Sequence, residues 1–237
     1  MHSVDVPSTK GPRLADEFDS VAQRYDLLQR LNPGYRTHLS WSARRLRAPS
    51  RARILDLCCG TGLSTEAIVA CYPDAEVTGL DLSAGMLAVA RKKPALRHVR
   101  FVQGDAMDLA ASGVSGPYDA VLMAYGIRNG PDPDLCLARL REHLAPGGRI
   151  AFHEYLVRGS VVHSAIWNAV ANAIIIPLGK LATGNAEIFR YLKESVNQFD
   201  GLADFEARLR RAGFGAVNTE PMNGWQRGIV HTVLAAR

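Results

Sequence analysis

The sequence has few cysteines and few aromatic residues. Its four cysteines form no CxxC pair and have no histidine at ligand spacing, so we expect no metal site; they are Cys58, Cys59, Cys71 and Cys136. We interpret Cys58 and Cys59 as small apolar residues packed under a turn. Unpaired thiols favour a reducing, cytoplasmic location. Aromatic residues make up 7% of the chain and are not interleaved with its basic clusters, so nucleic acid is not an expected partner.

A long uninterrupted hydrophobic run is also lacking. The opening stretch MHSVDVPSTKGPR has no apolar core, so we do not expect a signal peptide. The most apolar region, SAIWNAVANAIIIPLG, contains Asn168, Asn172 and Pro177. Because these residues interrupt it, we expect it to fall short of the ~20 clean residues that a membrane-spanning helix needs. These absences predict a soluble protein.

What the sequence does contain is an ordinary globular composition with an excess of positive charge. Of its 237 residues, 47% are hydrophobic and 22% are charged, and the formal net charge is +5. That composition and length are enough for one full core. Basic side chains concentrate in residues 44–53 and 91–100. Such clusters are typical of solvated helix ends and loops; the alternative is a surface that contacts anionic lipid or an anionic ligand.

The order of apolar patterns predicts one domain over residues 1–237. The predicted parts are a polar tail at 1–11, N-terminal helices at 12–48, alternating strands and helices at 49–157, a helical insertion at 158–200, and a closing helix with two strands at 201–237. Short apolar strands that alternate with helices predict an α/β fold. We expect a doubly wound, mostly parallel, Rossmann-like sheet of seven strands, with an antiparallel terminal pair and an insertion that forms a substrate lid.

A glycine turn and three acids mark the first predicted strands. Gly60 and Gly62 follow the first strand, where glycine lets the backbone approach a ligand closely. Asp56, Asp81 and Asp105 end three consecutive strands. Because the carboxyl ends of parallel strands meet at one edge of a sheet, we expect these carboxylates to converge there. The alternative is that the acids only cap turns and a helix.

The three acids discriminate between nucleotide ligands. Carboxylates would repel the pyrophosphate of a dinucleotide, and Thr65 stands where a G-x-G-x-x-G turn has its third glycine. S-adenosylmethionine has no phosphate, and it carries an ammonium, a sulfonium, a ribose diol and an adenine amine. We therefore expect this cofactor, with Asp56 at its amino-acid end, Asp81 at the ribose and Asp105 at the adenine.

Several stretches resemble the class I methyltransferases of ubiquinone and menaquinone biosynthesis: LDLCCGTGLST, GLDLSAGML, GDAMDL, AYGIRNGPD and LAPGGRI. The likeness runs from Leu14 to Arg237, and GIRN together with YLKES is its most selective part. The resemblance implies an S-adenosylmethionine-dependent C-methyltransferase that acts on the quinol ring of a prenylated quinone precursor.

The resemblance, together with the acids, also indicates which residues bind ligands. The expected cofactor site comprises Asp56, Gly60, Thr61, Gly62, Asp81, Leu82, Met86, Asp105, Ala106 and Ala124, where Ala124 replaces a serine of the family. The expected acceptor site includes Tyr25, Tyr125, Tyr191 and Ser195. Tyr191 and Ser195 lie one turn apart on a predicted helix, so ordinary helix packing is the alternative for both.

The residues predicted to perform the chemistry are Arg128, Asn129 and Glu154. A ring carbon becomes a better nucleophile when its phenol loses a proton, and the Arg128 cation would stabilise the resulting phenolate. The alternative is that Arg128 pairs structurally with Glu154. Because adjacent strand residues point to opposite faces, only one of His153 and Glu154 should face the site. The resemblance favours Glu154, because family members often carry glutamate at this position; His153 as general base is the alternative.

The remaining alternatives concern the acceptor. The chain has Gln29 where family members usually have asparagine, and NGWQRGIV replaces a Thr-Gly-Gly-like turn. These departures favour a second hypothesis, C- or O-methylation of a soluble aromatic secondary metabolite. The apolar face of residues 161–176, with Trp167, is interpreted as a lid over a polyprenyl tail, a homodimer contact or plain core. Such a lid beside basic clusters would permit peripheral contact with the inner face of the membrane.

Overall fold

The computed structural model describes residues 12–30 and 32–237, so the predicted polar tail lies outside the described residues. Two helices precede the sheet: α1 spans Pro12–Arg30 and α2 spans Tyr35–Arg45. Gly34 directly precedes α2 with a φ of 86°, a left-handed conformation that glycine adopts at little cost.

The sheet has seven strands in the order β3-β2-β1-β4-β5-β7-β6. They are β1 Arg53–Leu57, β2 Glu76–Asp81, β3 Arg100–Gln103, β4 Tyr118–Ala124, β5 Leu144–Tyr155, β6 Gly215–Pro221 and β7 Val230–Ala236. Strands β1 to β5 pair in parallel, and β7 is antiparallel to both β5 and β6. The predicted fold class, a doubly wound sheet with an antiparallel terminal pair, is confirmed.

Helices cover both faces of this sheet. On one face lie α2 and α3 (Leu63–Cys71), and on the other lie α5 (Pro133–His143) and α9 (Leu202–Arg211). Helix α4 spans Ala84–Arg91 and α8 spans Glu187–Gln198, and α6 and α7 are described below. Residues that alternate along a strand enter different cores: Leu55 packs in the cluster that contains α5 and α9, whereas Ile54 packs in the cluster that contains α2 and α3. Because both faces are covered, the central strands are mostly apolar, as is typical of a parallel sheet.

The apolar stretch after β5 forms a longer helix than the sequence predicts. Helix α6 (Val161–Val170), a π-helical turn (Ala171–Ile175) and α7 (Ile176–Thr183) follow one another without a break. We call Val161–Thr183 the apolar helix; its 23 residues are long and apolar enough to cross a membrane by length and composition. The expectation that it falls short is therefore wrong. The π turn ends two residues before Pro177, where the proline ring would disrupt a regular α-helix.

Candidate active site

A cavity of about 750 Å³ lies at the carboxyl ends of β1, β2 and β4, between α1 and the apolar helix. This volume is within the range of ligand pockets in proteins. Helix α1 is fastened to the end of α7 by two contacts: Arg24 donates to the carbonyl of Ala182 at 2.6 Å, and Asn185 donates to Glu17 at 3.1 Å. The cavity is therefore enclosed by elements that are far apart in the sequence.

The glycine turn after β1 forms one wall of this cavity. Gly60 has a φ of +54°, and a Cβ atom placed on it would meet nothing within 4 Å. Gly60 thus presents bare backbone to open space, as the sequence predicts for a ligand turn. Gly62 does not line the cavity: its φ is +82°, and a Cβ there would lie 2.7 Å from Leu96. Gly62 allows the turn to pack against the protein instead.

The two cysteines of the turn line the cavity and are not simply packed beneath it. Cys58 has a φ of +58°, in the left-handed region that glycine favours, although it carries a side chain. Burial raises the pKa of both Cys58 and Cys59 well above that of an ordinary thiol. Both thiols are therefore protonated and poor nucleophiles, which agrees with their interpretation as small apolar residues.

Two of the three predicted acids reach the cavity. Asp81 accepts hydrogen bonds from the backbone N–H of Gly60 at 2.8 Å and of Ser83 at 2.9 Å. Asp105 is exposed and accepts from the N–H of Met107 at 2.8 Å. Burial raises the pKa of Asp81, and those two N–H donors partly oppose that rise. Both side chains thus have fixed positions from which carboxylate oxygens can accept further hydrogen bonds.

The remaining predicted cofactor residues on this side also line the cavity; they are Thr61, Leu82, Met86, Ala106 and Ala124. The hydroxyl of Thr61 is already engaged, because it donates to Asp26 of α1 at 2.5 Å. Another acid of α1, Asp19, accepts from the Ser83 hydroxyl and from the Gly85 N–H. Sequence reasoning missed Asp19 and Asp26. The only feature of the sequence that could have indicated them is their spacing, because the two acids lie two turns apart along one amphipathic helix.

The structure does not place Asp56 in the cavity, contrary to the prediction. Asp56 pairs in register with Gly79, which lies two positions before the end of β2. Asp56 therefore lies inside the sheet and not at its edge. One carboxylate oxygen, Oδ2, accepts from the hydroxyls of Ser64 at 2.8 Å and Thr65 at 2.5 Å. The other, Oδ1, is buried without a partner. Burial raises the pKa of Asp56 to about 7, although the two hydroxyls oppose the rise.

A buried cation forms the opposite wall. Arg128 lines the cavity and donates from Nη1 to Glu154 Oε1 at 2.6 Å and to the Tyr125 carbonyl at 2.8 Å. Its Nε donates to the Ser195 hydroxyl at 3.3 Å. Asn129 also lines the cavity; its Oδ1 accepts from the Tyr191 hydroxyl at 3.2 Å. The structural Arg128–Glu154 pair, which the sequence analysis gave as the alternative role of Arg128, is therefore present, and its arginine lines the cavity.

Glu154 and Ser195 do not line the cavity, contrary to the prediction. The Glu154 side chain is 1% exposed and lies behind Arg128, because the ion pair draws it away from the open space. Burial raises the pKa of Glu154, and the Arg128 cation opposes that rise. Both residues hold the guanidinium in place rather than face a ligand.

Tyrosine rings surround the guanidinium. The carbon Cζ of Arg128 lies 5.7 Å from the ring centroids of Tyr125 and Tyr155, within cation–π distance. The Tyr125 ring stacks on Tyr35 at 5.8 Å and on Tyr155 at 4.9 Å. Tyr25, Tyr125 and Tyr191, which the sequence predicts as acceptor residues, all line the cavity. This side of the cavity therefore suits a flat aromatic ligand with an oxygen substituent.

His153 lies on the opposite face of β5 from Glu154, as strand alternation requires. It does not line the cavity, but its Nε2 is 2.8 Å from the hydroxyl of Tyr125, which does. Its Nδ1 is 2.8 Å from the Ser42 hydroxyl of α2. Burial lowers the pKa of His153 to about 3, so the ring is neutral at physiological pH.

The sheet order, the glycine turn and the acid at the end of β2 define the Rossmann-like fold of S-adenosylmethionine-dependent methyltransferases. The sequence model of the ubiE/COQ5 methyltransferase family matches residues 6–235. The chain belongs to this family.

Curated relatives agree with that membership. The chain is 36% identical to the ubiquinone/menaquinone biosynthesis C-methyltransferase UbiE of Bradyrhizobium diazoefficiens, over 93% of this chain and 90% of that protein. It is 37% identical to the demethylmenaquinone methyltransferase of Thermus thermophilus, over 83% of this chain and 90% of that protein.

Solved structures with the same fold are more distant. A methyltransferase of Thermotoga maritima, described as a possible histamine N-methyltransferase, aligns with a TM-score of 0.64 at 17% identity, covering 92% of this chain and 97% of that one. The [4+2]-cyclase SpnF aligns with a TM-score of 0.68 at 15% identity, covering 95% of each chain. Since a cyclase shares the fold, the fold alone does not give the reaction.

Proposed function

We propose that this protein is an S-adenosylmethionine-dependent C-methyltransferase that methylates a ring carbon of the quinol in a prenylated quinone precursor. The observation that carries the proposal is the pairing, in one cavity, of a carboxylate wall with an arginine surrounded by tyrosines. The names of the curated relatives supply the substrate class.

The carboxylate wall fits the cofactor. Gly60 offers bare backbone, and Asp81 and Asp105 offer acceptors for ribose hydroxyls and an adenine amine. A pyrophosphate would meet two carboxylates here, so a dinucleotide fits poorly. S-adenosylmethionine supplies an electrophilic methyl group.

The opposite wall fits an oxygen-bearing ring. The Arg128 cation is fixed by Glu154 and Ser195, so its charge is oriented before the acceptor binds. A phenol normally has a pKa near 10, and a fixed cation beside it favours the phenolate, which raises electron density on the ring carbons. Asn129, held by Tyr191, offers an amide close to the same place. Together these residues activate and align the ring for in-line transfer.

The test is methyl transfer by the purified protein from isotope-labelled S-adenosylmethionine. The acceptors are a demethylated quinol with a short isoprenoid tail and the same quinol ring without the tail. We expect label on a ring carbon of the tailed quinol, identified by mass spectrometry and NMR, and a lower kcat/KM for the tailless ring. Label on oxygen alone, or no transfer to either quinol, would contradict the proposal.

A second candidate acceptor is a soluble aromatic metabolite. The observation that favours it is the position of Gln29 and Trp225, which line the cavity and depart from the family pattern. In the same assay, equal kcat/KM values for the tailed and tailless rings would support this candidate.

We further propose that the insertion at 158–200 acts as a lid and that the apolar helix rests on a membrane surface. Its exposed apolar residues are Val161, Val162, Ile166, Ile174, Leu178 and Leu181. Ile174 and Leu178 also line the cavity, so an apolar path joins the cavity to the outer face of this helix. Trp167 is fully buried against Tyr155, and it anchors the helix to the body of the protein. A prenyl tail in a bilayer could follow this path while its ring occupies the site.

The variant Val161→Ser/Leu181→Ser tests this contact, because these side chains are 87% and 84% exposed. We expect it to lose co-sedimentation with vesicles of phosphatidylethanolamine and phosphatidylglycerol. The control Leu135→Ser changes an exposed residue of α5 and should bind as the unaltered protein does. If light scattering shows a dimer that only the double substitution dissociates, the face is a contact between copies and the membrane proposal is wrong.

A further inference from the structure

A chain of hydrogen bonds runs from the protein surface to the acceptor side of the cavity. Arg45 of α2 lies 2.8 Å from Glu220 through Nε and donates from Nη1 to the Thr232 hydroxyl at 2.8 Å. Thr232 Oγ1 is 2.7 Å from Ser42 Oγ. Ser42 in turn contacts His153, and His153 contacts the Tyr125 hydroxyl. Apart from Tyr125, none of the residues in this chain of hydrogen bonds is among the ligand-binding residues that the family resemblance indicated.

The residue at the outer end, Arg45, determines which group donates in each of these hydrogen bonds. A guanidinium has no lone pair to offer, so Arg45 can only donate to Thr232. The fully buried Thr232 hydroxyl then donates to Ser42, and Ser42 donates to Nδ1 of His153. The neutral imidazole must therefore carry its proton on Nε2, from which it donates to Tyr125. The reverse order would leave the Thr232 proton without an acceptor among the described contacts of this buried residue.

At the cavity end, this direction of donation determines whether the Tyr125 hydroxyl can donate a hydrogen bond to a ligand. The Tyr125 oxygen accepts from His153, so its own proton is free to point away from the histidine. The Tyr155 ring stacks on Tyr125 with the centroids 4.9 Å apart, and both residues line the cavity. In every bond of this chain the donor hydrogen points toward the cavity. The bond dipoles therefore add, and their positive end faces the acceptor site.

We propose that Arg45, Thr232, Ser42 and His153 are positioning residues that fix Tyr125, with its neighbour Tyr155, as a hydrogen-bond donor to the ring oxygen of a phenolate acceptor. The inference rests on the proposed function, in which that oxygen also lies beside Arg128. The Arg128 cation stabilises the negative charge of the phenolate, and the tyrosine hydroxyl donates a directional hydrogen bond to one ring oxygen. Together the two groups determine which ring oxygen is held as the phenolate.

The test interrupts the chain at Thr232, which touches neither ligand. Thr232→Val keeps the side-chain shape and removes the hydroxyl, whereas Thr232→Ser keeps the hydroxyl and serves as the matched variant. The probe is 4-nitrophenol, titrated by absorbance in the presence of S-adenosylhomocysteine, because its colour reports its protonation state when bound. Thermal unfolding of both variants checks that they fold.

We expect the unaltered protein to bind 4-nitrophenolate and to lower the pKa of the bound phenol. Thr232→Val should weaken phenolate binding about three- to ten-fold, the effect of one hydrogen bond, while Thr232→Ser restores it. Equal binding by all three proteins, or no binding of 4-nitrophenolate by the unaltered protein, would overturn the inference. This binding assay does not depend on methyl transfer. A failure of the proposed function would instead appear as absent transfer to quinols with the binding pattern intact.

Discussion

The two walls of the cavity differ in charge and in how they are built. The wall at the tips of β1, β2 and β3 consists of backbone N–H groups and carboxylates, held by hydrogen bonds within and between the turns that follow these strands. The opposite wall is a buried guanidinium among tyrosines, held by residues from β5, α8 and the turn after β4. Since the walls share no hydrogen-bond partner among the contacts described above, we expect substitutions to separate cofactor binding from chemistry.

The largest effect should follow from removing the cation. Arg128→Ala should lower turnover about 10²- to 10³-fold, as loss of a charge-stabilising donor does. It also leaves the Glu154 carboxyl buried without its partner, which should cost about 3–5 kcal/mol of stability. Steady-state kinetics and thermal unfolding measure the two effects.

The variant Arg128→Gln/Glu154→Gln separates those effects, because it replaces the ion pair by neutral amides. We expect its stability to recover while turnover stays low and S-adenosylmethionine affinity is unchanged. Normal turnover in this variant would show that Arg128 is structural only.

A smaller effect should follow on the other wall. Asp81→Ala removes the carboxylate at the end of β2, and cofactor affinity measured by calorimetry should fall about 100-fold, since charged hydrogen bonds are each worth about 1.5–3 kcal/mol. Asp74→Ala changes an exposed acid outside the cavity and is the matched control. If Asp81→Ala binds the cofactor as Asp74→Ala does, the carboxylate wall has been assigned to the wrong ligand.

The smallest effect on activity should come from Asp56, which lies behind the walls. Its folded pKa, about 7, exceeds its ordinary value of 3.8, so between these values the folded state binds more protons than the unfolded state. Stability should therefore fall as pH rises through that window. Asp56→Asn keeps an oxygen for Ser64 and Thr65 and cannot ionise there.

Chemical unfolding at a series of pH values checks this prediction. The difference in stability between the unaltered protein and Asp56→Asn should change across the window and level off outside it. A constant difference from pH 4 to pH 8 would mean that Asp56 ionises normally in the folded protein.

The contrast between the walls also explains what the sequence could predict. The turn with Gly60 and the acids Asp81 and Asp105 each lie within a few residues of a strand end, so strand periodicity was enough to find them. Asp56 was misplaced because its depth depends on its register with Gly79, which periodicity does not give.

The other wall depends on contacts between distant segments. Ser42, His153 and Thr232 meet only because α2 packs beside β5 and β7, and none of these residues has a local motif. The carboxylate wall has one such contact as well, because Asp26 reaches Thr61 only where α1 packs over the cavity. The apolar helix was underestimated because its π turn precedes Pro177, and a π turn leaves no mark in hydrophobic spacing.

A crystal structure of the protein with S-adenosylhomocysteine would test the central claim most directly. We expect both ribose hydroxyls to lie within hydrogen-bond distance of Asp81 and the adenine amine to lie near Asp105. The sulfur should face the side of the cavity that is lined by Arg128 and the tyrosines. A nucleoside bound elsewhere, or with its ribose against Arg128, would contradict it.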